Sequence, residues 1–497
     1  DNAARNTRCG PSGTDCPRVD APDSGAVGDG AGVPGDAGFV DGHPGADADS
    51  EAGPGDDAGA GNEGDGAIVE GGGDAGSPPS CFSLTRGPAG GALPAPIIYA
   101  TGSTAIQPYV ARVAQVLEGL SIASVVYLGA GSCFGIDAMT NPAGYPLQRI
   151  GKTATYYDSA LDGSGNVQSG TCTVDDSSRL ADVGISDVFP TTCDPDLASQ
   201  GGLPNNLHDF FGPVQVMEFV VPSTSSQTAI SAEAAYMVWG YGSASGVSPW
   251  TDETFLLQRS ATSGTQNMIG AAIGLGPSLW HGIKNGTSTA ISSAIENVAA
   301  MRAIDGGPSS DLEAAEKTMG ILASDVADNS RQFLHPLAFQ DVGQTCGWYP
   351  DSHAGAFDKS NVRDGRYPIW GPSHLVVYAD ANGNPTNPAA KTLIDAMSGT
   401  NSQVLATLNI VQFYAKSHVI PTCAMHVTRS SDGHDYAPYS PPISCSCYYD
   451  LQTTQQTSCA TCNTDADCKN ARDGATTCVN IFGLPPVGYC EPPGSPH

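Results

Sequence analysis

The chain has 497 residues, room for two or three ordinary domains, with 51 acidic against 21 basic residues and a formal net charge of −30. That charge excludes electrostatic binding to nucleic acid or anionic lipid, because a polyanion is repelled. Hydrophobic residues make up 40%, enough for a sizeable core, but no run of about eighteen apolar residues occurs, so no transmembrane segment is expected. The chain starts at Asp1 without a signal-peptide pattern, which fits a mature or trimmed form. Fifteen cysteines, 61 glycines and 37 prolines point outside the cytoplasm, where disulfides persist. The odd cysteine count leaves at least one thiol free, lipidated or paired between chains.

Residues 1–80 hold 20 glycines and 16 acidic against 3 basic residues. Such a segment cannot bury enough apolar surface to offset its chain entropy. It is expected to be a disordered acidic spacer, either a passive tail or a surface tether. Gly32, Gly35 and Gly38 keep a three-residue period that Asp41 breaks, so a collagen reading fails. Cys9 and Cys16 are candidates for a small disulfide loop.

Residues 94–430 read as an alternating α/β domain. Ile97–Ala100 is a predicted strand ending in Thr101, Gly102, Ser103 and Thr104. Ile106, Tyr109, Val110, Val113, Leu117 and Leu120 then follow helical spacing, with Pro108 in the first turn where a missing N–H costs little. Ser124–Leu128 is a second strand, leading into Gly129, Ala130, Gly131 and Ser132. Asp182–Ile185 is a third, ending at Ser186 and Asp187. Val214–Val221 is predicted as a central strand, apolar on both faces. Repeated strand–loop–helix units predict a parallel sheet, whose ligands bind at the carboxyl ends of the strands. Residues 431–497 are different: Cys445, Cys447, Cys459, Cys462, Cys468, Cys478 and Cys490 crowd a short polar stretch, the pattern of a disulfide-stapled segment. Zinc is the rival reading, since Cys459 and Cys462 have ligand spacing, but a second pair at matching spacing is missing.

The most informative segment runs from Arg259 through Ser260, Ala261, Thr262, Ser263, Gly264 and Thr265 into a predicted helix over 266–273. Helix N-termini present unpaired N–H donors and a favourable dipole to an anion, and Arg259 adds a forked cationic donor. Taken alone, this reads rather as an ordinary capped helix. The hydroxyl turns at Thr101–Thr104 and at Gly131–Ser132 repeat the same chemistry. Together with Asp187 they describe a site that surrounds a tetrahedral oxyanion with neutral donors, for which the overall charge of −30 is no obstacle.

These pieces resemble, in order and spacing, the phosphate-binding protein of bacterial phosphate ABC importers. The matching stretches are "IIYATGSTAIQPYV", "VVYLGAGSCFG", "ADVGISDV", "LLQRSATSGTQ" and "RYPIWGPSHLVVYAD", over roughly residues 96–430 with insertions. The resemblance implies a two-lobed periplasmic binding protein of type II, a Venus-flytrap α/β core, with one lobe over about 96–221 and 367–430 and the other over about 222–366. It implies inorganic phosphate as ligand, no cofactor, and an ABC permease or a surface protein as partner. By this match Thr104 and the Ala105 N–H hold the anion from the first loop. Ser132 does so from the second loop, Asp187 from the third, and Arg259, Ser263, Gly264 and Thr265 from the other lobe. Asp187 would accept the proton of hydrogen phosphate and repel sulfate, which has none; the plainer reading is a helix or turn cap.

The chain also departs from the family. Ala261 stands where the family has an acidic residue to steady the arginine, and Cys133 follows Ser132. The insertions at 141–179 and 340–366 bring Cys172, closely followed by Cys193, and Cys346, which predicts disulfide-decorated loops around the cleft, in a pairing the sequence leaves open. Enzyme readings are poorer. Gly151, Lys152 and Thr153 lack the upstream glycine of a nucleotide-binding loop, and no GxSxG, SxxK or HExxH occurs. His208, His281, His335, His353, His374 and His426 are scattered in sequence, leaving a spatial His/Asp cluster open. Asp351 with His353 is a minor metal candidate, and Asn285–Thr287 matches a glycosylation sequon. The expectation is a solute-binding protein rather than an enzyme. The alternative is a structural or adhesive surface protein that uses the fold without tight ligand binding.

Overall fold

The computed structural model of the chain describes residues 77–491 apart from 164, 306–308, 400–403, 405–408, 434–435, 471–474, 476 and 481–487. The expected disordered spacer, except for residues 77–80, and the Cys9 and Cys16 candidates lie outside the described residues.

The strands that position the site are β1 (Ile97–Gly102), β2 (Ser124–Gly129), β3 (Thr153–Leu161), β4 (Val167–Thr173), β5 (Val183–Ser186), β6 (Leu207–Pro222), β7 (Ala229–Ser231), β8 (Leu256–Gln258), β9 (Ile283–Lys284), β10 (Met319–Ala323), β11 (Leu334–Pro336), β12 (Ala338–Gln340) and β13 (Trp370–Tyr378). One continuous sheet runs β4-β3-β2-β1-β5-β13-β6-β10-β8-β9, with β11 also on β6. β6 joins its two halves. Leu207 to Val216 pair with β13, while Met217 to Val220 pair with β10 and the end of the strand with β11. This gives two α/β lobes linked by crossing strands, the arrangement the resemblance implies.

The sheet is mixed rather than parallel. β1 pairs in parallel with β2 and β5, and β8 with β9 and β10. The crossing strands run back from one half to the other, so β13 meets β5 and β6 antiparallel. The insertion after residue 141 adds the antiparallel hairpin β3–β4 at the outer edge of β2. A hairpin needs no crossover helix, so no helical repeat marks it in the sequence.

Helix α1 (Gln107–Gly119) carries Pro108 in its first turn and buries Tyr109, Val110, Val113 and Leu117, which cover one face of the sheet. Leu120, expected on the same stripe, lies past the helix end and is exposed. Helices α2 (Ser132–Thr140), α3 (Gly264–Ile273) and α4 (Ser288–Asp305) each begin at the site described below. No helix among the described residues is long and apolar enough to cross a membrane.

Among the described residues the disulfides are Cys81–Cys172, Cys133–Cys193, Cys423–Cys445, Cys447–Cys459, Cys462–Cys478 and Cys468–Cys490. Cys459 and Cys462 are bonded to different partners, so neither is the thiolate that zinc requires. Cys81, Cys133 and Cys423 complete pairs that spacing did not reveal. Cys346, expected in a disulfide-decorated loop, takes part in none of these six bonds; its thiol is buried, and burial raises its pKa.

The C-terminal segment is not a bead on a string. Helix α5 (Ser446–Thr454) places Tyr448 and Tyr449 in the main core, and the Tyr449 hydroxyl donates to Val419 O at 3.2 Å. Its last part is a three-stranded sheet of Thr461–Cys462, Gly488–Glu491 and Thr477–Val479, with its own small core of half-cystines and Ala475.

The insertion at 340–366 is tied to the second half by ion pairs. Its Lys359 is fully buried, with Nζ 2.6 Å from Asp328 and 2.9 Å from Asp351. Arg331 lies 2.5 Å from Asp328 and 3.1 Å from Asp351. Asp351 therefore serves an ion-pair network and not a metal, and His353 accepts the Gly355 N–H instead. Glu218 of β6 faces the same cations at 3.8 and 3.9 Å. Burial, with Asp328 beside it, raises its pKa to about 7.

Candidate functional site

Three loops leave the carboxyl ends of neighbouring parallel strands at one level, because Gly102 is in register with both Gly129 and Ile185. Gly102 has φ +137°, and a Cβ there would overlap the Ile185 carbonyl. Only glycine allows the first and third loops to approach this closely. The Gly102 carbonyl accepts the N–H groups of Ala130 and Gly131, both at 2.9 Å, and so pins the second loop to the first. The Ser103 N–H donates to Ile185 O at 2.9 Å.

Asp187 sits where the three loops meet and is 2% exposed. The Ser103 hydroxyl donates to its Oδ2 in a short hydrogen bond, and the Ser132 hydroxyl donates to the same oxygen at 3.1 Å. The Asp187 N–H returns a bond to Ser132 Oγ at 3.2 Å. Its other oxygen, Oδ1, is buried and has no hydrogen-bond partner among the described residues. Burial raises the Asp187 pKa to about 6, against the lowering effect of the two serines and of the charges on His374 and Arg259. His374, from β13, is wholly buried, with Nδ1 2.7 Å from Asp209 Oδ2. It is one of three His–Asp pairs among the described residues, with His418–Asp328 and His426–Asp364.

The second half closes on this point. Gly264, the first residue of α3, is packed so tightly that a Cβ would overlap Ser132 Oγ and lie 2.8 Å from Asp187 Oδ2. The Cys133 N–H donates to Thr262 O at 3.2 Å, again across the two halves. Ser263 and Thr265 flank Gly264 and are buried. Arg259 is 3% exposed. Its Nη2 donates to Thr104 Oγ1 and to Gly286 O, each at 3.4 Å, and its Nη1 donates to Ser288 Oγ in a short bond. Ser288 opens α4, so a hydroxyl and a carbonyl steady the guanidinium where Ala261 supplies no carboxylate.

The structure thus brings Thr104, Ser132, Asp187, Arg259 and Gly264 into one cluster, with Ser263 and Thr265 at its edge. The Ala105 N–H is nearby but donates to Ser103 Oγ at 3.1 Å. Ser103 and Ser288 were missed. The first was visible as a hydroxyl in the first turn; the second had no signal, being far from Arg259 in sequence. The arrangement offers hydroxyls, helix-terminal backbone and one guanidinium on one side and a carboxylate with an open oxygen on the other. Such a set suits an oxyanion that carries a proton.

No family model and no curated protein matches the sequence. Solved structures do. The chain is similar to a candidate phosphate ABC transporter substrate-binding protein from Clostridium perfringens with bound phosphate, at 12% identity and TM-score 0.42, over 66% of this chain and 100% of that one. It is also similar to an ABC-type phosphate transport receptor from Vibrio cholerae, at 14% identity and TM-score 0.39, over 65% and 99% of the two chains.

Proposed function

We propose that this chain is an extracytoplasmic solute-binding protein that captures inorganic phosphate, or a similar tetrahedral oxyanion, between its two lobes. The observation that carries the reading is the convergence of Asp187 and Ser132 from one half with Gly264 and Arg259 from the other. A ligand seated there touches both halves and favours the closed state by its differential affinity. Asp187 Oδ1 is the acceptor for the ligand's proton, and Arg259 with the start of α3 is the donor set for its oxygens. The Ser103 and Ser132 hydroxyls both donate to Asp187 Oδ2 and so fix the carboxylate that meets the ligand, which supports a binding site. Six disulfides support an oxidising compartment.

The test is a thermal-shift screen of phosphate, arsenate and sulfate on the full chain and on Arg259→Gln. A ligand at about a hundred times its Kd stabilises the folded state by roughly 2.7 kcal/mol. Phosphate is expected to raise the melting temperature of the wild type and not of the variant. Equal shifts in both proteins would count against the site, and no shift with any oxyanion would favour the structural surface reading.

A further inference from the structure

The C-terminal extension reaches the anion site. A hairpin of Val427–Arg429 and Tyr436–Pro438 is fixed to the start of β13 by Arg429, which donates to Trp370 O and, at 2.9 Å, to Pro368 O. The guanidinium stacks 4.1 Å above the Trp370 ring, and Cys423–Cys445 staples the flanks of the hairpin. Beyond Arg429 the chain turns and Asp432 points inward. Its Oδ2 accepts the Phe189 backbone N–H at 2.8 Å and the Thr192 hydroxyl at 2.7 Å. Both donors belong to the loop that begins at Asp187.

That loop is also held by the Ser103 hydroxyl on Asp187, by bonds between Ser186 Oγ and the Val188 backbone, by Val188 in the main core and by the Phe189 ring against Phe211 and His374. β5 ends at Ser186, so Asp187 lies beyond the ladder and is held by Ser132. The next covalent fixed point is Cys193, bonded to Cys133. Between these points Asp432 adds two side-chain hydrogen bonds that come from a distant part of the chain. It also stands beside Asp187 at the crossing strand: a Cβ on Gly371 would lie 3.1 Å from Asp187 O and 3.4 Å from Asp432 Oδ1. Phe189 in turn packs its ring 4.3 Å from that of His374, whose charge acts on Asp187.

We propose that Asp432 is a positioning residue of the oxyanion site. It holds the loop from which Asp187 meets the ligand, so affinity and discrimination between protonated and unprotonated anions depend on a residue of the C-terminal extension. The inference rests on the oxyanion reading above. Asp432 acts through geometry: one oxygen accepts both bonds, and an amide oxygen at the same place can do the same.

The experiment is calorimetry of the full oxidised chain with phosphate and with sulfate at pH 8. The variants are Asp432→Ala, Asp432→Asn, Asp187→Asn and the double Asp432→Ala/Asp187→Asn. Loss of two hydrogen bonds predicts that Asp432→Ala weakens phosphate binding roughly tenfold to a hundredfold. The phosphate-to-sulfate ratio should fall with it, and Asp432→Asn should restore affinity to within about threefold. In the Asp187→Asn background the alanine change should cost less than about threefold, since residues acting as a unit are not additive. Wild-type affinity in Asp432→Ala would overturn the inference. So would a loss of equal size in both backgrounds with an unchanged ratio, the signature of general loosening. If Asp432→Ala does not fold, Thr192→Val removes one of the two bonds, and an unchanged phosphate affinity there overturns the inference equally. A wild type that binds neither anion contradicts the oxyanion reading itself, and only that outcome touches both.

Discussion

The protonation of Asp187 gives the most discriminating prediction. In its ionised form the carboxylate repels an anion with no proton; in its neutral form it can donate to one. Burial places the change near pH 6. One pH unit above this value about a tenth of the molecules keep the proton, and two units above about a hundredth. Sulfate affinity should therefore fall about tenfold per pH unit between roughly pH 6 and 8 and level off below pH 5. Hydrogen phosphate brings its own proton, so phosphate binding should persist at pH 8. Asp187→Asn offers a donor at every pH and should bind sulfate at pH 8 about as well as the wild type does at pH 5. The assay is calorimetric titration with sulfate at pH 5, 6, 7 and 8, with phosphate at each pH as reference. A phosphate-binding wild type whose sulfate affinity is flat across this range would refute the reasoning, as would an Asp187→Asn variant that still rejects sulfate.

Further outcomes follow from the packing. Gly264→Ala places a methyl group into Ser132 and Asp187; overpacking of about 1–3 kcal/mol should oppose closure and weaken phosphate binding roughly fivefold to a hundredfold, with melting temperature as the control for folding. Ser288→Ala removes the hydroxyl that steadies Arg259 and should raise the phosphate dissociation rate roughly tenfold, readable by stopped flow. Glu218 changes its pKa from about 4.5 unfolded to about 7 folded, so the folded state holds more protons between these values and stability must fall as pH rises from 4.5 to 7. The full shift corresponds to no more than about 3 kcal/mol. Denaturant unfolding with disulfides intact should show Glu218→Gln less pH-dependent than the wild type and more stable at pH 8, and an unchanged slope would contradict the assignment.

Much of the site was legible because it is local. Each loop is a short run of glycine and hydroxyl residues directly after a strand, so Gly102 to Thr104, Gly131 to Ser132 and Asp187 could be read before their meeting was seen. Arg259 with Ser263 to Thr265 stood out for the same reason. What was hidden depends on distant parts of the chain. Ser288 supports Arg259 from a different helix, and Asp432 sits in a polar turn that looks like any other. The mixed sheet was misread as parallel because β3 and β4 form a hairpin inside an insertion and β13 returns late. Asp351 looked like a metal ligand beside His353 because nothing in the sequence shows Lys359 folding back onto it. Cys81 and Cys423 lay apart from the visible clusters, and their partners were fixed only by the fold.

The central claim is that one protonated oxyanion sits between the two halves of the fold. It is tested most directly by calorimetric titration of the full oxidised chain with phosphate, after bound ligand has been removed by unfolding in denaturant and dialysis. One site per chain is expected, with a Kd of about a micromolar or tighter, a binding energy near 8 kcal/mol or more. Absence of heat and of thermal stabilisation in refolded protein would contradict it.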